Sequence, residues 1–134
     1  MNEEQKKAIQ EIAFACWEQS EKSGFHVVYL HPDVVTREAR SYYSHPFRQV
    51  PDKLVLIASE VGEAVDAIRK PEWEIDKTYY TDGAKPEGLG SELADIVIRV
   101  FDLAQMVGID IAEQISLKMS YNAKRSYRHG GKLL

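Results

Sequence analysis

Polar and apolar positions alternate along this chain with helical period in four stretches, and one of them is apolar on almost every side. In Ser91 to Val107, SELADIVIRVFDLAQMV, eleven apolar residues (Leu93, Ala94, Ile96, Val97, Ile98, Val100, Phe101, Leu103, Ala104, Met106 and Val107) leave a single narrow polar sector at 100° per residue. Glu92, Asp95, Arg99 and Asp102 fill it as one charged stripe. A helix with so little polar surface is expected to be buried, and buried carboxylates need a compensating cation. Arg99, a metal ion or both would serve.

Lys53 to Lys70 repeats the pattern. Leu54, Ile57, Ala58, Val61, Val65 and Ile68 share one face, with Glu60, Glu63 and Asp66 descending its flank. Each helix therefore carries an i, i+3 acid pair, Glu60-x-x-Glu63 and Glu92-x-x-Asp95. If the helices pack antiparallel, four oxygen donors meet between them, which is what Mg²⁺ or Mn²⁺ requires. Two solvated acidic helix edges would show the same spacing.

The first helix is predicted from Asn2 to about Ser23, with Ala8, Ile9, Ile12, Ala13, Ala15 and Cys16 inward, an Asn2–Gln5 capping arrangement and Gly24 as its stop. From Phe25 to Val50, Pro32 and Pro46 interrupt any long element, and a short helix is expected within Asp33 to Tyr43. This long connection holds His26, Tyr29, His31, Tyr42, Tyr43, His45, Phe47 and Arg48, a mixture suited either to gripping a flat polar base or to pinning the loop to the bundle. Pro51 reads as the first residue of the second helix, which should end near Lys70-Pro71. Glu72 to Gly90 reads as a polar surface connection without a strand. Gly90 or Ser91 would cap the acidic-stripe helix and Gly108 would end it. Asp110 and Glu113 would open the last helix as a capping box. Lys118, Asn122 and Arg125 share a face of that helix at i, i+4 and i+7. The prediction is an all-α, single-domain chain over residues 1–134: four principal helices plus a short loop helix, the bundle completed by oligomerisation.

Composition narrows the function. A net charge of −4 argues against a nucleic-acid surface. A single cysteine, Cys16, among apolar neighbours reads as packing in a reducing compartment, and with a charged amino terminus and no apolar run of spanning length the expectation is a cytoplasmic protein with no membrane partner. No histidine has a glutamate three residues before it, which excludes the Glu-x-x-His pairs of di-iron bundles.

Glu60-Val-Gly-Glu63, an interval of 28 residues, Glu92-Leu-Ala-Asp95 and then Lys118-Met-Ser-Tyr-Asn122-Ala-Lys-Arg125 resemble the MazG-like all-α nucleoside triphosphate pyrophosphohydrolase superfamily, which includes dimeric dUTPases, dCTP pyrophosphatases and phosphoribosyl-ATP pyrophosphohydrolases. The resemblance spans about Pro51 to Arg128. It implies Mg²⁺-dependent cleavage (Mn²⁺ as a substitute) of a (deoxy)nucleoside triphosphate to the monophosphate and pyrophosphate, in a homodimer or homotetramer that cleanses or shapes nucleotide pools. It also implies Glu60, Glu63, Glu92 and Asp95 as metal ligands. Chemistry adds Lys118, Asn122 and Arg125 as phosphate ligands and Glu63 as the catalytic base. Many members carry a further glutamate before the first motif, where this chain has Ser59. Some deoxycytidine-preferring relatives stack the base on a tryptophan seven residues after the second glutamate; here that position is Lys70, with Trp73 close by as a substitute and His45 as a second base-binding candidate. Phosphoribosyl-ATP as substrate, and a non-catalytic interaction module in which Arg99 pairs with Asp95 and Asp102, are the alternatives.

Overall fold

The computed structural model describes residues 1–26, 46–81 and 83–125. The short helix expected within Asp33 to Tyr43, His45, and the tail residues Arg128, His129 and Lys132 lie outside them. Four helices and one hairpin make up the described chain: α1 (Glu3–Lys22), α2 (Pro46–Ala67), β1 (Tyr79–Thr81), β2 (Lys85–Glu87), α3 (Leu89–Met106) and α4 (Ile111–Ala123). The all-α expectation holds, with the hairpin as an addition.

Helix α1 opens on the predicted capping box: the Asn2 side chain accepts from the Gln5 N–H at 2.8 Å, and the Gln5 side chain accepts from the Asn2 N–H at 3.0 Å. It closes through Gly24 at φ 79°, after which the Phe25 N–H reaches back to the Ser20 carbonyl at 3.0 Å. Helix α2 begins five residues earlier than expected. Pro46 takes the first helical position, and Pro51 lies within the helix, where it removes one backbone donor. The helix also ends earlier, at Ala67, where Arg69 N–H to Asp66 and Lys70 N–H to Ala67 tighten the chain into i→i−3 bonds.

The polar connection from Glu72 to Gly90 does contain strands. Tyr79, Tyr80 and Thr81 pair antiparallel with Glu87, Pro86 and Lys85. The β-forming run Tyr-Tyr-Thr, the Asp82-Gly83 turn signal in the sequence and a cross-strand hydrogen bond from the Thr81 hydroxyl to the Glu87 carboxylate at 3.2 Å supply the reason. Gly88 then joins the hairpin to α3 at φ 111°, and a Cβ there would stand 2.8 Å from the Lys77 carbonyl oxygen. Gly88 is also the N-cap of α3, in place of Gly90 or Ser91. The Ser91 hydroxyl is used to donate to the Pro86 carbonyl at 3.1 Å instead.

Helix α3 is the centre of the chain, packed on α1 and α2, while α4 packs on α1. Two contacts fix that last pairing. Lys6 Nζ lies 2.6 Å from Glu113 Oε2, and Gln10 donates to Asp110 at 3.0 Å. Asp110 caps α4 by accepting from the Glu113 N–H at 3.0 Å, so only half of the expected capping box forms: the Glu113 side chain is taken by Lys6.

The interior is inverted relative to an ordinary bundle. Among the described residues the buried apolar ones are five alanines, Ala13, Ala64, Ala67, Ala104 and Ala112, while Lys53, Glu60, Glu92 and Asp102 are also buried. Large apolar side chains face outward, with Val55 68% and Leu93 50% exposed and Leu54, Val61, Val65 and Val97 similar. Helix α3 is thus central without being enclosed. No helix among the described residues is long and apolar enough to cross a membrane.

Candidate active site

Between α2 and α3, Glu60, Glu63 and Glu92 bring one carboxylate oxygen each to within 4.8 Å of one another. Glu60 and Glu63 share a helix face because they are one turn apart; Glu92 answers them from the first turn of α3, which Gly88 and the hairpin place there. Octahedral coordination at 2.0–2.1 Å separates oxygens by about 2.9 Å when adjacent and about 4.1 Å when opposite, so small side-chain rotations close these three carboxylates on one hard cation.

The three acids are not equally compensated. Glu60 accepts from Arg99 Nε at 2.6 Å, with Nη2 of the same guanidinium 2.5 Å from the same oxygen, Oε1. This leaves Oε2 free of that contact. Glu92 is 7% exposed and has no hydrogen bond or ion pair among the described residues. Burial, and then the charges of Glu63, Asp95, Glu60 and Glu87, push its carboxyl above the ordinary range. A buried acid with acid neighbours and no cation is a demand for positive charge. Lys85, on the hairpin, is the nearby ammonium: its pKa is raised first by its bond to Glu87, with Glu92 and Glu63 adding to the effect.

Asp95, predicted as a fourth ligand, stands one turn beyond Glu92 and outside the group of three. Its carboxyl is raised by desolvation and by Glu60, against the opposing pull of Arg99 and Lys85, so it belongs to the same electrostatic neighbourhood. It lines a cavity of about 180 Å³ together with Arg99, and the cavity continues to Lys53 and Asp102. Asp102, 3% exposed, is held by Lys53 Nζ at 2.7 Å on Oδ2 and by His26 Nε2 at 2.6 Å on Oδ1. The His26 ring in turn lies 5.5 Å from that of Trp17. Arg99 does not form the intrahelical ladder with Asp95 and Asp102; it crosses to α2 instead. These two cross-helix pairings, Arg99–Glu60 and Lys53–Asp102, are invisible in spacing because they exist only once α2 and α3 are docked.

Cys16, half-buried, has its thiol pushed up by burial and by Asp102, consistent with packing and not with a nucleophile. Tyr79 stacks on one face of Trp73, with ring centroids 4.8 Å apart and planes at 12°, and the Lys70 ammonium lies 3.6 Å from the ring centroid. Trp73 therefore pins the hairpin to the end of α2. Lys118 and Asn122 are exposed on α4, but the helix ends at Ala123 with Lys124 as its C-cap, so Arg125, expected on the same helical face, is exposed beyond the helix end; Lys118 and Arg125 lie 5.6 and 5.8 Å from the Tyr121 ring. No hydrogen bond or ion pair among the described residues links them to the acidic cluster. His45 lies outside the described residues.

A "dATP/dGTP diphosphohydrolase" of Salmonella phage PMBT28 is 35% identical over 68 residues, which are 51% of this chain and 21% of that protein. The matching segment of the chain thus spans about a fifth of that relative's length. No solved structure matches. Residues 51–129, which hold the acidic cluster, the hairpin and the basic face of α4, match the MazG nucleotide pyrophosphohydrolase domain. With most of its length matched, the chain belongs to the MazG nucleotide pyrophosphohydrolase domain family.

Proposed function

We propose that the chain hydrolyses a deoxynucleoside triphosphate to the monophosphate and pyrophosphate, using Mg²⁺ (or Mn²⁺) held by Glu60, Glu63 and Glu92, with Asp95 at the edge of the same centre. The observation that carries this reading is the buried Glu92, which has no ion-pair partner among the described residues, facing two more carboxylates from α2. All donors are oxygens, which suits a hard divalent ion. When bound, the ion would screen the triphosphate and polarise a phosphoryl oxygen. Arg99 holds Glu60 through Oε1, which leaves Oε2 outside that contact for the ion. Glu63 is the more exposed of the cluster and is the base we assign to take the proton from the attacking water. Lys118, Asn122 and Arg125 are the phosphate clamp, stabilising the charge that grows on the leaving pyrophosphate. Because α4 packs on α1 and its basic face carries no contact to the cluster of its own chain, we place that clamp over the cluster of a neighbouring subunit.

The oligomer is a homodimer or homotetramer. Its basis is the outward apolar face of α2 and α3, which no other described element covers. The relative's printed substrates suggest a purine deoxynucleotide. A reducing cytoplasm suits the lone Cys16 thiol. The test is pyrophosphate release from dATP, dGTP, dCTP and dTTP with Mg²⁺, with Mn²⁺ and in chelator. Equimolar monophosphate and pyrophosphate that vanish in chelator and in Glu63→Gln support the reading; orthophosphate as the product, or no metal dependence, refutes it.

A further inference from the structure

The cavity beside the acidic cluster has the wrong size for a nucleotide and the right composition for a base. At about 180 Å³ it is well below the roughly 300–1,000 Å³ of pockets for drug-sized ligands, so it takes one ring system. Asp95 and Arg99 form the end nearest the acids. Phe25, Leu56 and Ile98 supply apolar walls, and at 60%, 40% and 39% exposure all three have surface to cover. Lys53 and Asp102 form the polar end, and both are more than nine-tenths buried.

Their mutual bond does not exhaust them. Each Asp102 oxygen uses one acceptor site, for Lys53 and for His26, and a carboxylate oxygen has two. The Lys53 ammonium has three N–H groups, one given to Asp102 at 2.7 Å and one directed to the Phe25 carbonyl at 3.4 Å. Among the described residues, one donor of Lys53 and two acceptor sites of Asp102 therefore remain, on two side chains that line the same cavity. A burial this complete of a charged pair is costly unless something uses it, since an apolar pair of similar volume would be at least as stable.

We propose that this cavity seats the base of the nucleotide and that Lys53 and Asp102 read its edge, making a 6-oxo-2-aminopurine the preferred base. The inference rests on the pyrophosphohydrolase reading for the placement of the phosphates at the acidic cluster. Guanine presents an acceptor at O6 and donors at N1 and N2, the complement of one ammonium and two carboxylate acceptor sites. Adenine matches one acceptor and one donor and leaves a carboxylate site unused. Thymine places O2 against the carboxylate, acceptor against acceptor. His26, backed by Trp17, acts through Asp102 and is a positioning residue.

The test uses the wild-type protein first, so that folding is not in question. dGTP is compared with dITP, which lacks only the 2-amino group, and with dATP, dCTP and dTTP. Removal of one hydrogen bond to a charged group should lower kcat/KM for dITP roughly 10- to 100-fold, mostly through KM. In Asp102→Asn, shown folded by circular dichroism, the dGTP to dITP ratio should fall toward one. Calorimetric binding of deoxyguanosine monophosphate with Mg²⁺ gives a readout independent of turnover, and it should exceed that of deoxyinosine monophosphate by a similar factor. Hydrolysis with dITP as good as dGTP overturns the base assignment and leaves the pyrophosphohydrolase reading standing. No hydrolysis, but selective monophosphate binding lost in Asp102→Asn, does the reverse. Absence of that binding overturns the base site.

Discussion

Replacing Glu92 by glutamine should make the metal-free protein more stable at neutral pH. Glu92 is buried, its carboxyl has no ion-pair partner among the described residues, and an oxygen of Glu63 lies within 4.8 Å. Two unit charges at that distance repel by about 3.5 kcal/mol at an effective dielectric of about 20. Arg99 offsets the charge of Glu60, and water screens the exposed Glu63, so we expect about 1–2 kcal/mol to be recovered. For a chain of this size that is a rise of about 3–8 °C in Tm. The sign with pH follows from linkage. A carboxyl raised in the folded state binds more protons folded than unfolded, so wild-type stability falls as pH rises from the ordinary carboxylate range through the raised value. Glu92→Gln should remove its share of that slope, and the two proteins should converge in acid. The assay is thermal unfolding in chelator at pH 4.5 and 7 at one fixed protein concentration, because an oligomer's Tm depends on it. Addition of Mg²⁺ should raise the wild-type Tm more than that of the variant. A variant that melts at or below wild type in chelator at pH 7 would show that Glu92 is already compensated, and would refute the reasoning.

Lys118→Ala and Arg125→Ala should each cost about 1.5–3 kcal/mol in kcat/KM for the triphosphate, with Asn122→Ala less; unchanged kinetics in all three would dismiss the clamp. Mixing inactive Glu63→Gln with impaired Arg125→Ala subunits and allowing exchange should raise activity above that of Arg125→Ala alone, whereas a clamp acting on its own chain would give no gain. Gly88→Ala should destabilise the hairpin–α3 junction by about 1–3 kcal/mol in chemical unfolding, since the added Cβ meets the Lys77 carbonyl and φ is 111°. Val97→Glu should shift the mass measured by light scattering toward the monomer; an unchanged mass would place the interface elsewhere.

Helical periodicity made all four helices legible, together with the Asn2–Gln5 cap and the stops at Gly24 and Gly108, because these signals are local. The i, i+3 acids of α2 and α3 were legible for the same reason, and three of the four meet as their spacing implied. The α2 start differs because two prolines suit the first helical position, and Pro46 lies five residues ahead of Pro51. The hairpin was missed because glycines and prolines around it outweighed the short run Tyr79–Thr81, whose strands are stabilised by Trp73 from outside the run. Arg99, Lys53 and Asp102 could be recognised as charges on apolar helices, but their partners lie 39 and 49 residues away and depend on how α2 and α3 dock. The same docking turns small and charged residues of α3 toward the other helices, while Leu93 and Val97 remain outside, in the apolar surface that a partner subunit is expected to cover.

Binding of Mn²⁺ followed by electron paramagnetic resonance tests the metal centre most directly, since it needs neither substrate nor turnover. Wild-type protein should bind the ion, Glu63→Gln and Glu92→Gln should each weaken that binding at least roughly tenfold, and Lys118→Ala should leave it unchanged. Mn²⁺ binding that is the same in Glu63→Gln, Glu92→Gln and wild type would contradict the assignment of the acidic cluster between α2 and α3 as the catalytic metal site.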